Sequence, residues 1–214
     1  MFYKNIGKKV FDLTLAFVLL PFLLLPIVII TLILLFVQGK PIIYKGKRTG
    51  YRGKEFYLYK FRTMSLNQEK VGGDTTALND PRITFLGKYL RKFKADELPQ
   101  IFNILKGEMS FVGPRPELPF YTNQYNSAQK EILSVKPGIT DYFSVEYSSL
   151  DKAAGENSDE TFENHILPIK NSKRLNYIKS ISFKTDILIL LRTLLVIFQK
   201  ILGKESIRDN DFKA

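Results

Sequence analysis

The sequence predicts an α-dominated α+β fold, in which a long apolar N-terminal helix, a small β-hairpin and amphipathic helices surround a compact domain. Three observations lead to this class. Residues 13–37 carry no charge, residues 41–64 place two apolar runs around a glycine-containing basic turn, and residues 183–201 repeat polar side chains at seven-residue spacing. The same patterns divide the chain into a membrane segment, residues 1–38, and a folded domain, residues 39–214.

The composition predicts an anionic partner. The chain has 32 Lys and Arg against 21 Asp and Glu, a net charge of +11, which favours nucleic acid, a phosphorylated small molecule or an anionic membrane surface. It has no cysteine, which excludes disulfides, thiolate catalysis and cysteine-ligated metals. Its one histidine, His165, lies in an acidic segment and is expected to be a solvated loop residue. Carboxylates are therefore the expected catalytic or metal-binding groups, and Mg²⁺ is the expected metal.

The uncharged run Leu13–Val37 is longer than the ~20 residues that a helix needs to cross a bilayer. Within it, Pro21 and Pro26 each remove a backbone donor and bend a helix. Basic residues, which mark the cytoplasmic side of a membrane segment, lie on both flanks: Lys4, Lys8 and Lys9 before the run, and Lys40, Lys45, Lys47, Arg48, Arg52 and Lys54 after it. On these residues alone, a spanning helix and a re-entrant helix are equal alternatives.

Residues 183–201 predict an amphipathic helix. Asp186, Thr193 and Lys200 recur at seven-residue spacing among mostly apolar side chains. This pattern fits a helix in the membrane interface, with its polar face toward the headgroups, and it fits an ordinary core helix equally well.

Between the termini, Pro41–Tyr44 and Phe56–Phe61 predict the two strands of the hairpin. The polar segment 65–80 and the acidic segment 149–165 predict surface loops, and residues 134–140 predict a rigid turn.

Two further helices are predicted in the middle of the chain. Apolar residues at helical intervals predict the first, over residues 83–93, with basic residues on the opposite side. The apolar positions are Phe85, Leu86, Tyr89, Leu90 and Phe93, and the basic ones are Lys88, Arg91 and Lys92. The second begins at Asp96 and ends at Gly107.

The adjacent carboxylates Asp96 and Glu97 lie within a strongly basic stretch. As a helix N-cap, Asp96 would contribute ~1 kcal/mol to stability, and the helix dipole would favour its ionised form. Capping explains neither Glu97 nor the surrounding cations. The alternative is that Asp96 attacks a phosphate as a covalent nucleophile, which requires cations or Mg²⁺ to neutralise the phosphate. The nearby cations are Arg62, Arg82, Arg91 and Arg115, the last held in one direction by Pro114 and Pro116.

The stretch DPRITFLGKYLRKFKADELPQIFNILKGEMSFVGPRPE, preceded by YKFRTM and followed by KPGIT, resembles the bacterial sugar transferases, the monotopic polyprenol-phosphate phosphoglycosyl transferases. The likeness runs from about residue 5 to residue 200. It implies a proline-broken, re-entrant N-terminal helix, and so favours re-entrance over a span. It also implies that residues 39–214 form a catalytic domain at the cytoplasmic face of the bacterial inner membrane.

The resemblance implies a reaction as well. Members transfer a sugar-1-phosphate from a UDP-sugar to undecaprenyl phosphate and release UMP, in a Mg²⁺-dependent, two-step process that initiates surface glycan assembly. By position, Asp96 would form the covalent phosphosugar intermediate, Glu97 would assist metal placement and proton handling, and Arg115 would contact the nucleotide. The two carboxylates are thus the expected metal ligands. Further substrate-binding roles fall to Lys60, Arg62, Arg82, Arg91 and Pro116.

Two departures from the family pattern limit what the resemblance implies. Leu25 precedes Pro26 where many members have serine, and DYFSVEYSSL follows KPGIT where many continue with Gly, a small residue and Gln-Val. Because of the second departure, the donor sugar is not carried over from the family. The sequence also predicts neither the glycan that is built nor the oligomeric state. Two other classes, a membrane-anchored scaffold and a nucleic-acid-binding protein, would use the same charge. We expect no nucleic-acid partner, because the sequence has no recognised nucleic-acid module, and a scaffold leaves Asp96, Glu97 and Arg115 without a role.

Overall fold

The computed structural model describes residues 2–66, 80–146, 160 and 162–202. Its helices are α1 (Lys8–Gln38), α2 (Phe85–Lys92), α3 (Ile101–Leu105), α4 (Pro119–Thr122), α5 (Tyr142–Glu146), α6 (Leu167–Ser180) and α7 (Phe183–Ile201). Its strands are β1 (Ile43–Thr49), β2 (Glu55–Phe61), β3 (Ser110–Val112) and β4 (Gly138–Thr140). The protein is helix-dominated with two small sheets, which confirms the predicted fold class in this coarse form.

Helix α1 is one helix of 31 residues that continues through Pro21 and Pro26, so the break at the prolines that the family resemblance implies is absent from its secondary structure. Within the described ranges it is the one helix that is long and apolar enough to cross a membrane, by length and composition. Many of its apolar side chains are exposed, among them Phe22 at 72% and Phe36 at 84%. Such a surface is suited to a lipid environment.

Buried charges attach the N-terminal end of α1 to the folded domain. Lys8 Nζ lies 2.5 Å from Asp186 Oδ2 of α7, and the Tyr177 hydroxyl of α6 donates to Asp186 Oδ1 at 2.8 Å. One turn further along α1, Asp12 Oδ1 accepts a hydrogen bond from Ser110 Oγ at 2.9 Å. The start of α1 is therefore fixed to α6, α7 and β3.

The C-terminal end of α1 is attached to the same domain. Arg62 Nη2 donates to the carbonyl oxygens of Gln38, at 2.6 Å, and Gly39, at 3.0 Å. Carbonyls at the last turn of a helix lack partners within the helix, so Arg62 acts as a cap. The Gln38 side chain also donates to Thr84 Oγ1 at 3.0 Å. One folded domain thus contacts both ends of α1.

The predicted hairpin is confirmed. Strands β1 and β2 pair antiparallel, with Ile43 opposite Phe61 and Thr49 opposite Glu55. Strand β1 extends five residues beyond the predicted end at Tyr44, so it includes most of the residues predicted to form the basic turn. Pairing with β2 satisfies the backbone groups of these residues whatever their side chains are.

A second sheet was not predicted. Strands β3 and β4 pair in parallel, with Ser110 opposite Gly138, so the predicted rigid turn over residues 134–140 ends in a strand. A Cβ atom on Gly138 would lie 2.1 Å from the Gly113 backbone nitrogen. The two segments approach so closely that only glycine fits, and a glycine in a three-residue strand gives no periodic signal.

Helix α2 confirms the predicted helix over residues 83–93. Some of its apolar side chains are buried in the core and others are exposed. Leu86 and Leu90 pack on the core. Phe85 and Tyr89 stay exposed, at 72% and 50%, and their rings meet edge to face with centroids 5.1 Å apart. The outer side of α2 is therefore aromatic.

Helix α7 confirms the predicted bounds, but the predicted orientation of its polar face is wrong. Asp186 is fully buried, and Thr193 Oγ1 lies 2.8 Å from Thr140 Oγ1 of β4. A seven-residue repeat identifies a helix face but does not tell whether that face meets headgroups or buried partners. The exposed large apolar side chains of α7 are Phe183, Leu188, Leu191, Leu194, Leu195, Phe198 and Ile201.

The core lies between the hairpin, α1, α3, β3 and the two last helices. Its most deeply buried apolar side chains include Phe61, Ile101, Ile104, Met109, Val112, Tyr177 and Ile189.

Helix α6 was not predicted. Residues 162–165 are helical where a loop was expected, although His165 is exposed as predicted. Residues 67–79 and 147–159, most of the two predicted polar loops, lie outside the described residues.

Candidate active site

Asp96 and Glu97 lie in a 3₁₀ turn, Ala95–Gln100, that leads directly into α3. The N-cap position of this turn is Lys94, whose backbone is left-handed at φ 56°, a strained conformation for a residue other than glycine. Asp96 therefore lies inside the first turn and not at its cap. The capping interpretation of Asp96 is wrong.

Glu97 is held by two cations from different elements. Lys60 Nζ donates to Glu97 Oε1 at 3.0 Å, and Arg115 Nη2 donates to the same oxygen. Lys60 reaches Glu97 because the alternation of β2 places it on the same face as the buried Phe56 and Leu58.

The loop around Arg115 fixes the direction of its side chain. The Arg115 backbone N–H donates to Asp141 Oδ2 at 3.1 Å, and Arg115 Nη1 donates to the Ile139 carbonyl at 2.7 Å. With Nη2 on Glu97, two nitrogens of the planar guanidinium have fixed partners. The Pro114–Pro116 loop, which the sequence predicts to be rigid, therefore directs Arg115 to Glu97.

The two carboxyl groups of this site have opposite pKa shifts. Burial raises the pKa of Asp96, an effect that Lys60 opposes and that the negative charge of Glu97 strengthens. Burial acts in the same sense on Glu97, but Arg115 and Lys60 outweigh it and hold the pKa of Glu97 well below its ordinary value. Adjacent carboxyls whose pKa values are pushed apart are typical of catalytic sites.

Asp96 Oδ1 is buried and has no hydrogen-bond partner within the part of the chain that the structure describes. A buried carboxylate oxygen without a partner is costly, so this atom is suited to bind a cation or to attack an electrophile. The described residues contain no cluster of three or more acidic, histidine or cysteine side chains that could enclose a metal. Mg²⁺ commonly binds through one or two carboxylates together with substrate phosphates, and Asp96 with Glu97 fits that mode.

A cavity of about 150 Å³ shares Lys60 and Arg115 with this site. Its lining carries four cationic side chains and one carboxylate, a balance that favours an anion. Gln100 adds an amide whose oxygen and nitrogen have no hydrogen-bond partner among the described residues. The lining residues are Arg48, Leu58, Lys60, Gln100, Arg115, Pro116, Glu117 and Lys170.

The other predicted substrate-binding arginines contact protein groups. Arg62 caps α1, and Arg82 Nη2 pairs with Asp80 Oδ2 at 2.6 Å. Arg91 Nε donates to Thr63 Oγ1 at 2.9 Å, and the charge of Arg91 lowers the pKa of Asp96. None of these arginines is among the residues that line the cavity.

A second buried charge cluster, behind the Arg115 loop, was missed in the sequence. Glu117 Oε1 accepts hydrogen bonds from Lys170 Nζ and Arg174 Nη2, both at 2.6 Å. The two cations lie one turn apart on α6, a spacing that ordinarily predicts a solvated helix face. Their partner lies 57 residues from Arg174, so no local pattern could have revealed the cluster.

Three relatives of known sequence show what this chain is similar to. The galactosyl transferase CpsE of Streptococcus agalactiae is 38% identical over 170 residues, which are 74% of this chain and 35% of the relative. The uncharacterized sugar transferase EpsL of Bacillus subtilis is 39% identical over 140 residues, which are 65% of this chain and 68% of the relative. The UDP-N-acetylgalactosamine-undecaprenyl-phosphate N-acetylgalactosaminephosphotransferase of Aeromonas hydrophila is 32% identical over 190 residues, which are 87% of this chain and 42% of the relative. This chain spans from about a third to about two thirds of the length of these relatives.

The match to a family model is more extensive. The model of the bacterial sugar transferases matches residues 3–200, a range that contains the Asp96–Glu97 turn, Lys60 on β2, the Arg115 loop and helices α1 to α6. The match agrees with the resemblance that the motifs around the two carboxylates indicate. Because it covers more than half of the chain, this protein belongs to the bacterial sugar transferase family.

Proposed function

We propose that this protein transfers a sugar-1-phosphate from a UDP-sugar to undecaprenyl phosphate, giving undecaprenyl-diphosphate-sugar and UMP, and so initiates the assembly of a surface glycan. The observation that carries the proposal is the buried Asp96–Glu97 turn, in which Asp96 has an unpartnered oxygen and Glu97 holds Lys60 and Arg115 at the edge of an anion-favouring cavity. The name of the Aeromonas hydrophila relative supports these classes of donor and acceptor.

In the first step, an Asp96 carboxylate oxygen attacks the phosphorus that carries the sugar. The new O–P bond forms as the bond from that phosphorus to the bridging oxygen of the diphosphate breaks, and UMP leaves with that oxygen. Lys60 and Arg115 would neutralise the phosphate oxygens, which otherwise repel the attacking anion.

In the second step, a phosphate oxygen of undecaprenyl phosphate attacks the same phosphorus. The bond to Asp96 breaks, the carboxylate is restored, and the sugar diphosphate lipid is released. A covalent intermediate of this kind lets one site serve a water-soluble donor and a lipid acceptor in turn.

Glu97 serves this chemistry as a fixed anion. Its pKa is held below the ordinary value by Arg115 and Lys60, which outweigh burial, so it stays ionised and orients both cations. Asp96 and Glu97 are the residues that would hold Mg²⁺, whose charge would supply additional stabilisation of the phosphate oxygens.

We further propose that α1 is re-entrant and that the folded domain lies at the cytoplasmic face of the inner membrane. A spanning helix places its ends on opposite sides of a hydrocarbon layer ~30 Å thick. Here Lys8 at one end pairs with Asp186, and Gln38 at the other end accepts from Arg62. Because one folded domain contacts both ends, re-entrance keeps these polar groups on one side of the membrane.

The exposed side chains of α2 and α7 support a position of these two helices in the membrane interface. The aromatic outer side of α2, with Phe85 and Tyr89, lies beside the C-terminal end of α1, because Thr84 bonds to Gln38. Amphipathic helices with aromatic and leucine side chains bind at the headgroup boundary. Asp96, which follows α2 closely in sequence, would then meet a phosphate at headgroup level.

The direct experiment mixes purified protein, Mg²⁺, undecaprenyl phosphate and a panel of UDP-sugars, and measures UMP release. Release that needs both the lipid and one particular UDP-sugar supports the proposal and names the donor. The absence of UMP release with every donor would refute the enzyme function and leave the membrane-anchored scaffold as the better account.

A further inference from the structure

Arg174 is a buried cation that bridges two residues of the Arg115 loop. Its exposed fraction is 1%. Its Nη2 donates to the carbonyl oxygen of Arg115 at 2.9 Å and to Glu117 Oε1 at 2.6 Å, and its Nη1 donates to Asn171 Oδ1 at 3.0 Å. The guanidinium thus joins α6 to the loop on both sides of Pro116.

The backbone of Arg115 is fixed from two directions. Asp141 accepts its N–H at 3.1 Å, and Arg174 donates to its C=O. Proline on either side restricts the remaining backbone rotations. The side chain of Arg115 therefore leaves the loop in the single direction that ends at Glu97.

Glu117 does not need Arg174 as its only partner. Lys170 already pairs with Glu117 at 2.6 Å, and Arg174 is a second, more deeply buried cation on the same oxygen. Burial lowers the pKa of Lys170, Glu117 opposes this, and the charge of Arg174 strengthens the lowering. The buried carboxylate of Asp141, which also accepts the Arg115 N–H, acts on Lys170 and Arg174 in the sense of Glu117. The contact that sets Arg174 apart is therefore its hydrogen bond to the Arg115 carbonyl.

We propose that Arg174 is a positioning residue: it fixes the Arg115 backbone and thereby aims the Arg115 guanidinium at Glu97 and at the diphosphate of the donor, an inference that rests on the proposed function. Arg174 acts only through Arg115. Replacing Arg174 should therefore weaken UDP binding while Arg115 is present, and should have little effect on UDP binding once Arg115 is replaced by alanine.

A double-mutant cycle on UDP binding, measured by isothermal titration calorimetry, tests this dependence without requiring turnover. Arg115→Ala should weaken binding roughly tenfold to a hundredfold, as loss of a charged hydrogen bond does. Arg174→Met, which keeps much of the apolar volume, should weaken binding roughly fivefold or more by itself, and by less than about twofold in the Arg115→Ala background. Arg174→Lys, whose ammonium cannot reproduce a planar fork, should lie between the wild type and Arg174→Met.

Tyr177→Phe is the matched control. Tyr177 is also buried on α6, three residues further on, and its hydroxyl bonds to Asp186 and Val112 and not to the Arg115 loop. Its effect on UDP binding should be equally small with and without Arg115. If Arg174→Met fails to fold, the cycle is run with Arg174→Lys.

Equal weakening by the Arg174 substitution in both backgrounds would overturn the inference, as would a wild type that does not bind UDP. The proposed function is judged separately, by UMP release. A protein that binds UDP with the expected coupling but releases no UMP would retain the inference and refute the transferase activity.

Discussion

Arg115 forms its ion pair with Glu97. The adjacent Asp96, one residue earlier, differs, because its Oδ1 has no hydrogen-bond partner among the described residues. The two adjacent carboxylates therefore have different surroundings. Glu97 binds Lys60 and Arg115, which line the cavity, and in the proposed function the unpartnered oxygen of Asp96 forms the bond to phosphorus.

Arg115→Lys should reduce kcat/KM for the UDP-sugar nearly as much as Arg115→Ala, by roughly tenfold to a hundredfold. An ammonium cannot contact both Glu97 and the Ile139 carbonyl in the geometry of the planar guanidinium. Steady-state UMP release measures the change. Arg52→Lys, at an exposed position that does not line the cavity, is the control and should leave kcat/KM unchanged. Full activity of Arg115→Lys would mean that the site needs only a positive charge at this position and not the planar guanidinium.

Lys60→Met should move the acidic limb of the kcat/KM profile to higher pH. Asp96 must be ionised to attack, burial already raises its pKa, and Lys60 is the largest influence that lowers it. Without Lys60, the pKa of Asp96 rises further, so activity is lost at a higher pH as the medium is acidified. The profile of Lys88→Met, an exposed lysine of α2, should match that of the wild type. If the acidic limb of Lys60→Met is unchanged, Lys60 does not influence the ionisation of Asp96.

Glu117→Gln should remove part of the acid sensitivity of the fold. Burial raises the pKa of Glu117, but Lys170 and Arg174 outweigh it and lower that pKa from 4.5 to about 2. A lowered pKa in the folded state stabilises the protein fully above pH 4.5 and loses that stabilisation as the pH falls toward 2. The stabilisation is on the order of 3 kcal/mol.

Thermal unfolding in detergent across this acidic range measures the effect. The wild-type Tm should fall with pH more steeply than that of Glu117→Gln, which starts from a lower Tm at neutral pH. Glu131→Gln, at an exposed position, should follow the wild type. Parallel Tm curves for the wild type and Glu117→Gln would mean that the cluster is not ionised as described.

Lys4→Cys and Lys40→Cys should both be protected from a membrane-impermeant thiol reagent in intact cells and labelled after the membrane is opened. Both positions are exposed on the protein, and the chain has no native cysteine. Re-entrance of α1 puts the two ends on the cytoplasmic side, where each contacts the folded domain. Labelling of position 4 alone in intact cells would mean that α1 spans the membrane.

The sequence predicted what local pattern can encode. The hairpin, α2 and α7 follow from periodicity, and the placement of Arg115 follows from the prolines around it. The orientation of α7 and the Glu117 cluster could not be predicted, because both depend on partners far away in the chain. In the sequence, Asp186 has the pattern of a residue on an exposed polar face. In the structure it is buried and bonded to Lys8 and Tyr177.

The same limit applied to the site. The adjacent Asp96 and Glu97 are visible in the sequence, but which of them holds the cations depends on where β2 and the Arg115 loop place Lys60 and Arg115. For Arg62 the motif suggests substrate binding, which stays a prediction, and the structure adds a contact that the motif did not reveal, since Arg62 Nη2 caps α1. A charge in a motif therefore indicates a site only after its partners are known.

The most direct test of the account is the mass of the intact protein after incubation with Mg²⁺ and the UDP-sugar alone, without the lipid acceptor. The wild type should gain the mass of one sugar phosphate and release UMP, and the adduct should disappear when undecaprenyl phosphate is added. Asp96→Asn should gain no mass and lose activity by on the order of a thousandfold or more, while still binding UDP, because the amide keeps the shape but not the nucleophile. An adduct on Asp96→Asn, or turnover close to that of the wild type, would contradict the assignment of Asp96 as the nucleophile.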